Sequence, residues 1–315
     1  MPLERDPRWP ALPPAQLGPT AETLQLWSQV AGKVRLARNP WLNHSWHVTF
    51  RVSARGLRTP LIPCDGGGIE LEFDFIAHEL VIRATSGEDR RVRLEAGELA
   101  GFYAAVMEAL AGLGALTPIN PQPTEIPDSV PFTEDHARRA YDPEMATALW
   151  RALVRIEAVL ERFRTRFIGK CSPVHLFWGA FDLAVTRFSG RRAPPHPGGF
   201  PHLPDAVARE AYSHEVSSAG FWPGGGCVAP SFYSYAYPQP VGFDAASVRP
   251  AAARFSPELG EFLLPYEAVR SAPDPEAVLL EFLQSTYEAA ANLAQWDHAA
   301  LECEEGRLGR PRLVT

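Results

Sequence analysis

Between Lys170 and Tyr237 the chain gathers most of the side chains that carry chemistry, among them Cys171, His175, Trp178, Asp182, Arg187, Arg191, Arg192, Tyr212, His214, Glu215, Trp222 and Tyr233. Three arginines surround a glycine in Arg187-Phe188-Ser189-Gly190-Arg191-Arg192. Guanidinium groups grip carboxylates and phosphates through paired hydrogen bonds, so this turn is expected to hold an anion; the plainer expectation is surface salt bridges. In Tyr212-Ser213-His214-Glu215-Val216-Ser217-Ser218, an extended backbone puts Tyr212, His214, Val216 and Ser218 on one face and Glu215 with Ser217 on the other. His214 is the leading proton carrier, because imidazole titrates near neutrality. Glu215 cannot orient it from the opposite face, which leaves Asp182 or a residue of the first half for that role. His175, Asp182 and Glu215 complete the acid/base candidates, each set against an ordinary structural role. Trp178, Trp222, Tyr212 and Tyr233 are the expected pocket walls, since small-ligand sites are mainly aromatic with a few charged groups.

Of 30 basic residues only Lys33 and Lys170 are lysine. A genome bias toward arginine would leave two lysines by chance. The sharper reading is that these positions need an ammonium, a compact donor whose pKa can move. His44, His47 and His175 raise a metal alternative, although His44 and His47, three apart on a strand, would face opposite sides, and no HExxH or Cys/His ligand spacing occurs. Sequences of the form GxSxG, GxxxxGK[ST] and GxGxxG are absent, so acyl-transfer and nucleotide-binding loops of those types are unsupported, and no cofactor is identified. Cys171 beside Lys170 has no second supporting signal for a nucleophile. The turn Phe221-Trp222-Pro223-Gly224-Gly225-Gly226 reads as a hairpin, or as a lid hinge.

The elements that must position these groups are legible from periodicity. A proline-rich lead-in (1–19) precedes a helix capped by Thr20 and running to about Ala37. Strands are expected over 45–55, 57–63, 69–76, 80–84 and 90–95, with Glu70, Glu72 and Asp74 facing solvent. A helix over 97–113 closes a first α+β repeat (20–113). Residues 114–141, with five prolines, read as a linker crossing the surface in polyproline form. A second repeat (142–301) starts with the capping sequence Asp142-Pro143-Glu144. It continues through a long central strand over 174–188 with a bulge near Gly179, a loop over 190–209, and strands near 211–218, 231–237 and 260–265. It ends in a helix opened by Asp274-Pro275-Glu276. The tail (302–315) looks frayed. The fold class is therefore α+β, built from duplicated helix–antiparallel strands–helix units with helices segregated to one side of the sheets.

The chain has 315 residues, 46% hydrophobic and 21% charged, enough for one large core or two coupled ones. A net charge of −7 argues against nucleic acid or anionic lipid as partner. The N-terminus lacks an apolar signal-peptide core, and no apolar run approaches spanning length. Cys64, Cys171, Cys227 and Cys303 read as reduced thiols, with a Cys64–Cys227 disulfide at matching turns as the alternative. The expected setting is cytoplasmic; oligomeric state is left open.

The strings Gly169–His175, Thr186–Pro195 and Tyr212–Ser218, with Leu26–Arg55, resemble the bacterial domain-of-unknown-function family DUF5996. The resemblance covers nearly the whole chain and implies one intact unit; it brings no activity, cofactor or catalytic residue. The leading functional expectation is thus a protein binding a small anionic molecule through Arg187, Arg191 and Arg192, with metal-independent acid/base chemistry. His214 or His175 would move the proton, and Lys33 or Lys170 would supply a charged donor, at the junction of the two halves. Its alternatives are a non-catalytic ligand-sensing or protein-interaction module, and a metalloenzyme ligated by His44, His47 and His175.

Overall fold

The computed structural model describes residues 8–225 and 228–312. Helix α1 (Pro14–Arg38) is followed by β1 (Arg51–Val52), β2 (Gly56–Arg58), β3 (Ile62–Cys64), β4 (Gly67–Asp74), β5 (Glu79–Ala84), β6 (Asp89–Arg93), β7 (Gly97–Glu98), α2 (Leu99–Ala111) and β8 (Arg138–Arg139). The second half holds α3 (Pro143–Arg164), β9 (His175–Phe177), β10 (Asp182–Arg192), α4 (Asp205–Ala211), β11 (His214–Trp222), β12 (Ser231–Tyr237), β13 (Arg254–Ser256), β14 (Glu261–Pro265), α5 (Tyr266–Arg270), α6 (Pro275–Leu293) and α7 (His298–Leu301). The protein is α+β with antiparallel sheets. One sheet runs β1-β2-β4-β5-β6 with β3 beside β4; another runs β13-β14-β12-β11-β10-β9; β7 and β8 form a short pair.

The two large sheets meet edge to edge. Phe50, just before β1, and Leu176 in β9 exchange both backbone hydrogen bonds at 2.9 Å. Helix α3 packs against α1, α6, β1, β2 and β10, so it ties both halves to one core. Its buried stripe of Leu149, Leu153, Ile156 and Leu160 follows the helical period. Asp142 caps it by accepting from the Glu144 and Met145 amides, and Asp274 caps α6 through Ala277.

Several expectations need correction. Helix α1 starts at Pro14 and passes through Pro19, because Trp9, Leu12 and Leu17 are buried and reward the extension. Thr20 is therefore mid-helix, and its hydroxyl accepts from the Asp142 amide instead of capping. The expected strand over 45–55 is a tight turn at Asn43–Ser45 followed by the two-residue β1. The central strand over 174–188 is a hairpin, β9–β10, with Phe181 at φ 60° in its turn, and the bulge lies later, between Phe188 and Arg192. Glu72 and Asp74 do not face solvent: both are buried under arginine partners, Arg83 at 2.7 Å and Arg55 at 2.5 Å. The 114–141 segment is not a surface crossing throughout, since Phe132 is buried and Thr124 is held inside. Both halves share the order helix, antiparallel strands, helix, but likeness ends there: β3 lies off the first sheet's path, and α4 is inserted into the second. Duplication is not established by this geometry. Cys64, Cys171 and Cys303 are free thiols; Cys227 and Gly226 lie outside the described residues.

Candidate functional site

Strand alternation decides which side chains of the second sheet meet. On β10, β11 and β12 one face presents Leu183, Val185, Arg187, Ala219, Phe221, Phe232 and Ser234 toward α3 and α6. The other face presents Asp182, Thr186, Phe188, His214, Ser218, Gly220, Tyr233 and Tyr235. That second face is approached by the 43–46 turn, whose His44 lies against Phe188, and by Glu125 of the 114–141 segment near Asp182, with α1 packed behind Thr124 and Gly179. A polar seam between the halves results.

At one end of the seam the Tyr233 hydroxyl donates to Asp182 Oδ2. The Tyr233 side chain passes over Gly220, where any Cβ would overlap both its hydroxyl and the Leu183 carbonyl. Tyr235, two residues on and on the same face, shares a 3.0 Å hydrogen bond with Tyr212, and Ser218 and Thr186 continue the line at 2.8 Å. Glu125 and Glu261 lie within electrostatic reach of Asp182. Burial pushes Asp182 up to about 6, partly offset by the Tyr233 hydrogen bond. Burial, then the Asp182 charge, lifts Glu125 and Glu261 to about 7. Burial also raises the three tyrosines, so they are neutral donors. None of the three carboxyls is in a salt bridge among the described residues.

Helix α1 positions Glu125. Gln25, Gln29 and Lys33 recur every four residues and so share one face. Gln25 Nε2 donates to the Gly179 carbonyl at 2.6 Å. Gln29 pairs with both backbone groups of Thr124, donating to its carbonyl at 2.8 Å and accepting from its amide at 2.7 Å. Lys33 Nζ donates to the Gln122 carbonyl at 2.7 Å and to Thr124 Oγ1 at 3.0 Å. It is 5% exposed, sits 5.8 Å from the Phe132 and Trp178 ring centres, and burial lowers it to about 8. These bonds hold Glu125 at φ 63°, a backbone conformation that costs energy outside glycine, with its carboxylate against Gly179.

At the other end of the seam His44, also left-handed at φ 59°, has Nδ1 2.8 Å from the Ala211 carbonyl and Nε2 2.8 Å from Lys170 Nζ. A carbonyl only accepts, so Nδ1 carries the hydrogen and Nε2 faces Lys170 with its lone pair. Lys170 rests over the Phe188 and Trp46 rings, 4.6 and 5.3 Å from their centres. The His44 and His214 rings are 6.3 Å apart.

The family model for a family of unknown function, DUF5996, matches residues 9–303. The chain belongs to the DUF5996 family. No curated protein and no solved structure matches this DUF5996 chain.

Of the expected site residues of this DUF5996 protein, Asp182, Tyr212, His214, Tyr233 and Lys170 lie along the seam, and the arginines do not converge. Arg187 is 1% exposed on the helix side, sandwiched between Phe163 and Tyr287 at 3.5 and 4.2 Å from their centres, and donates to the Phe163 carbonyl. Odd spacing along the strand sends it away from Asp182. Arg191 pairs with Glu215 at 2.7 Å and caps α6 through the Ala294 carbonyl at 2.6 Å. Arg192 is exposed and opposite His214. Glu215, across the sheet from His214 as expected, is committed to Arg191. Among the described residues the side-chain hydrogen-bond partner of His214 is Ser213, at 3.0 Å. His175 is fully buried with neither ring nitrogen bonded, and burial beside Arg51, Arg164 and Arg35 holds it neutral, so it is not a proton carrier for a ligand. Trp178 serves the core: its Nε1 donates to the Val48 carbonyl and its ring fills the space at Gly32. Trp222 is half-buried at the end of β11. His47 accepts from the Leu42 amide and packs at a tilt against Trp41, far in role from His44 and His175. Among the described residues no three His, Cys, Asp or Glu are grouped to hold a metal, so the His44, His47 and His175 ligand set dissolves.

Two depressions lie away from the seam. One of about 540 Å³ is lined by Arg166, Gln284 and residues 302–307, but Arg166 and Glu305 already pair at 2.6 Å. The other, about 180 Å³, lies between β11, β12 and α6 and is largely apolar. Glu125, Glu261, Tyr235, Gln25 and Gln29 were not anticipated from sequence. The four-residue recurrence of Gln25, Gln29 and Lys33 and the alternation of Tyr233, Tyr235 and Tyr237 were available signals. Glu125, amid prolines, had none. No helix among the described residues is long and apolar enough to cross a membrane.

Proposed function

We propose that this DUF5996 protein binds a small polar molecule at the seam and moves a proton on it through the Asp182–Tyr233 pair, with Glu125 and Glu261 as neighbouring carboxyls. One observation carries the reading: Asp182, which accepts from Tyr233 beside the Tyr212–Tyr235 pair, lies within electrostatic reach of Glu125 and Glu261, and none of the three carboxyls is paired with a cation among the described residues. Carboxyls that titrate near neutrality are poised to give or take protons, and such clusters recur at reaction centres. An acidic end of this kind selects a neutral or cationic compound. The anionic ligand expected from the arginine turn loses its cradle there, because Arg187 and Arg191 are engaged elsewhere. The proposed setting is the cytoplasm, where free thiols are ordinary. Nucleic acid is not proposed as a partner for a chain of net charge −7.

Thermal-shift screening tests the reading with neutral polyols, sugars, amines and zwitterions beside carboxylates and phosphates. Stabilising compounds are expected among the neutral and cationic sets. Their effect should vanish in Asp182→Asn and Tyr233→Phe, with circular dichroism unchanged. Shifts confined to anions, or shifts kept by both variants, would refute it.

A further inference from the structure

The second end of the seam carries its own chemistry, independent of the carboxyl cluster. We propose that Lys170 is a nucleophilic amine served by His44, and that it forms an imine with a carbonyl compound bearing an anionic group. The geometry is a relay of three groups. The Ala211 carbonyl accepts from His44 Nδ1–H at 2.8 Å, which fixes the tautomer, and the Nε2 lone pair points at Lys170 Nζ at 2.8 Å. An ammonium sharing its hydrogen with a neutral imidazole can surrender that hydrogen and become an amine. This is the nucleophile–base–orienter arrangement of covalent catalysis, with a backbone carbonyl as orienter.

Three further features agree. Lys170 is an exposed residue that a solute can reach, whereas Lys33 is buried. His44 is held at φ 59° rather than relaxed. Burial lowers both Lys170 and His44, and the Lys170 charge lowers His44 further. The groups facing the pair are Lys170's neighbours Phe188 on β10 and Trp46 on the turn, His214 on β11, and Glu210 on α4, which accepts from Trp41 Nε1 and acts weakly on His44. Arg192 lies directly opposite His214, and paired residues share a sheet face. Together His214 and Arg192 favour an electrophile that carries a carboxylate. The anion expected from sequence thus reappears beside Arg192 alone.

The step balances without an added oxidant or reductant. Lys170 passes a proton to His44 Nε2, and its lone pair forms the C–N bond as the carbonyl π pair moves to oxygen. The oxygen takes the proton from His44. A second transfer removes a proton from nitrogen to that oxygen, which leaves as water, and a protonated imine remains. Charge is conserved: ammonium and carbonyl give iminium and water.

Lys170 competes with a single other lysine, the buried Lys33, and with the N-terminal amine. Full-length protein is incubated near pH 7.5 with glyoxylate, or with uncharged propionaldehyde, then reduced with cyanoborohydride and mapped by peptide mass. The expected result is an adduct on Lys170 that forms several-fold faster than on the N-terminal amine, with glyoxylate ahead of propionaldehyde. His44→Asn, a residue suited to left-handed backbone, should slow Lys170 to the rate of an ordinary amine while circular dichroism is unchanged. Arg192→Gln should remove the glyoxylate advantage and leave propionaldehyde unaffected. Lys170 reacting no faster than the N-terminus, or equally fast in His44→Asn, overturns the proposal. Equal rates for the two probes overturn its anionic part.

Discussion

At the residue scale, Asp182 is the group whose environment and position agree most closely. It is 9% exposed, and among the described residues its side-chain partner is a neutral hydroxyl, so ionising it in the fold is costly. The carboxyl is raised in the folded state, from 3.8 to about 6, so the fold carries no penalty in acid and gains one as pH climbs through that window. A shift of this size is worth about 3 kcal/mol. Asp182→Asn should therefore flatten the loss of stability across that window by a comparable amount, while abolishing ligand response. Urea denaturation at a series of pH values reads it; an unchanged pH profile would contradict the assignment. A second test concerns Lys33. Its ammonium fits between the rings of Phe132 and Trp178 and reaches two oxygens, where a planar guanidinium has neither the shape nor the room. Lys33→Arg should destabilise the fold by about 1–3 kcal/mol through overpacking. An unaffected denaturation midpoint would show that the arginine-rich composition alone explains the two lysines.

At the element scale, α1 acts as the clamp that makes the site possible. Gln29 satisfies the amide and carbonyl of Thr124, neither of which has access to a strand partner. Gln29→Leu leaves both unpaired and should cost about 2–4 kcal/mol in denaturant titrations. It should also release Glu125 and with it the effect of any seam ligand. Gly179→Ala is sharper, because its Cβ would occupy the volume of the Glu125 carboxylate. That variant should keep the sheet but lower the titration of Glu125 toward the ordinary carboxyl range by driving it outward.

The same elements show what was legible beforehand. Helices α3 and α6, their Asp-Pro-Glu starts and the strands around 69–84 and 231–237 follow from apolar period and capping, which are local properties. The arginine turn was misjudged because face assignment along β10 depends on strand position: the β9–β10 hairpin turns where a single long strand was expected, and the later bulge shifts Arg192. Glu72 and Asp74 alternate as a solvated edge would, yet Arg83 on the adjacent strand β5 and Arg55 in the β1–β2 turn cover them. Glu125 was illegible because its role comes from α1, 96 positions earlier at Gln29, and no local pattern records such a contact.

At the scale of the whole molecule, the seam requires both halves. The second half supplies Asp182, Tyr212, Tyr233, Tyr235 and Glu261, and the first supplies His44 and the α1 face that holds Glu125. Because α3 packs on both sheets and Phe50 pairs with Leu176, the halves share a core. Unfolding should follow one transition, with tryptophan fluorescence and circular dichroism coincident. Two separated transitions would show that the halves fold independently and that the seam is a loose interface.

The central claim is that Asp182, Glu125 and Glu261 form one coupled set titrating near neutrality. Carbon-13 NMR of selectively labelled Asp and Glu carboxyls follows these groups one by one. The expected midpoints are about 6 for Asp182 and about 7 for Glu125 and Glu261, with the two glutamates falling in Asp182→Asn as the Asp182 charge is removed. Three carboxyls titrating at their ordinary values of 3.8 and 4.5, unmoved by that substitution, would contradict it.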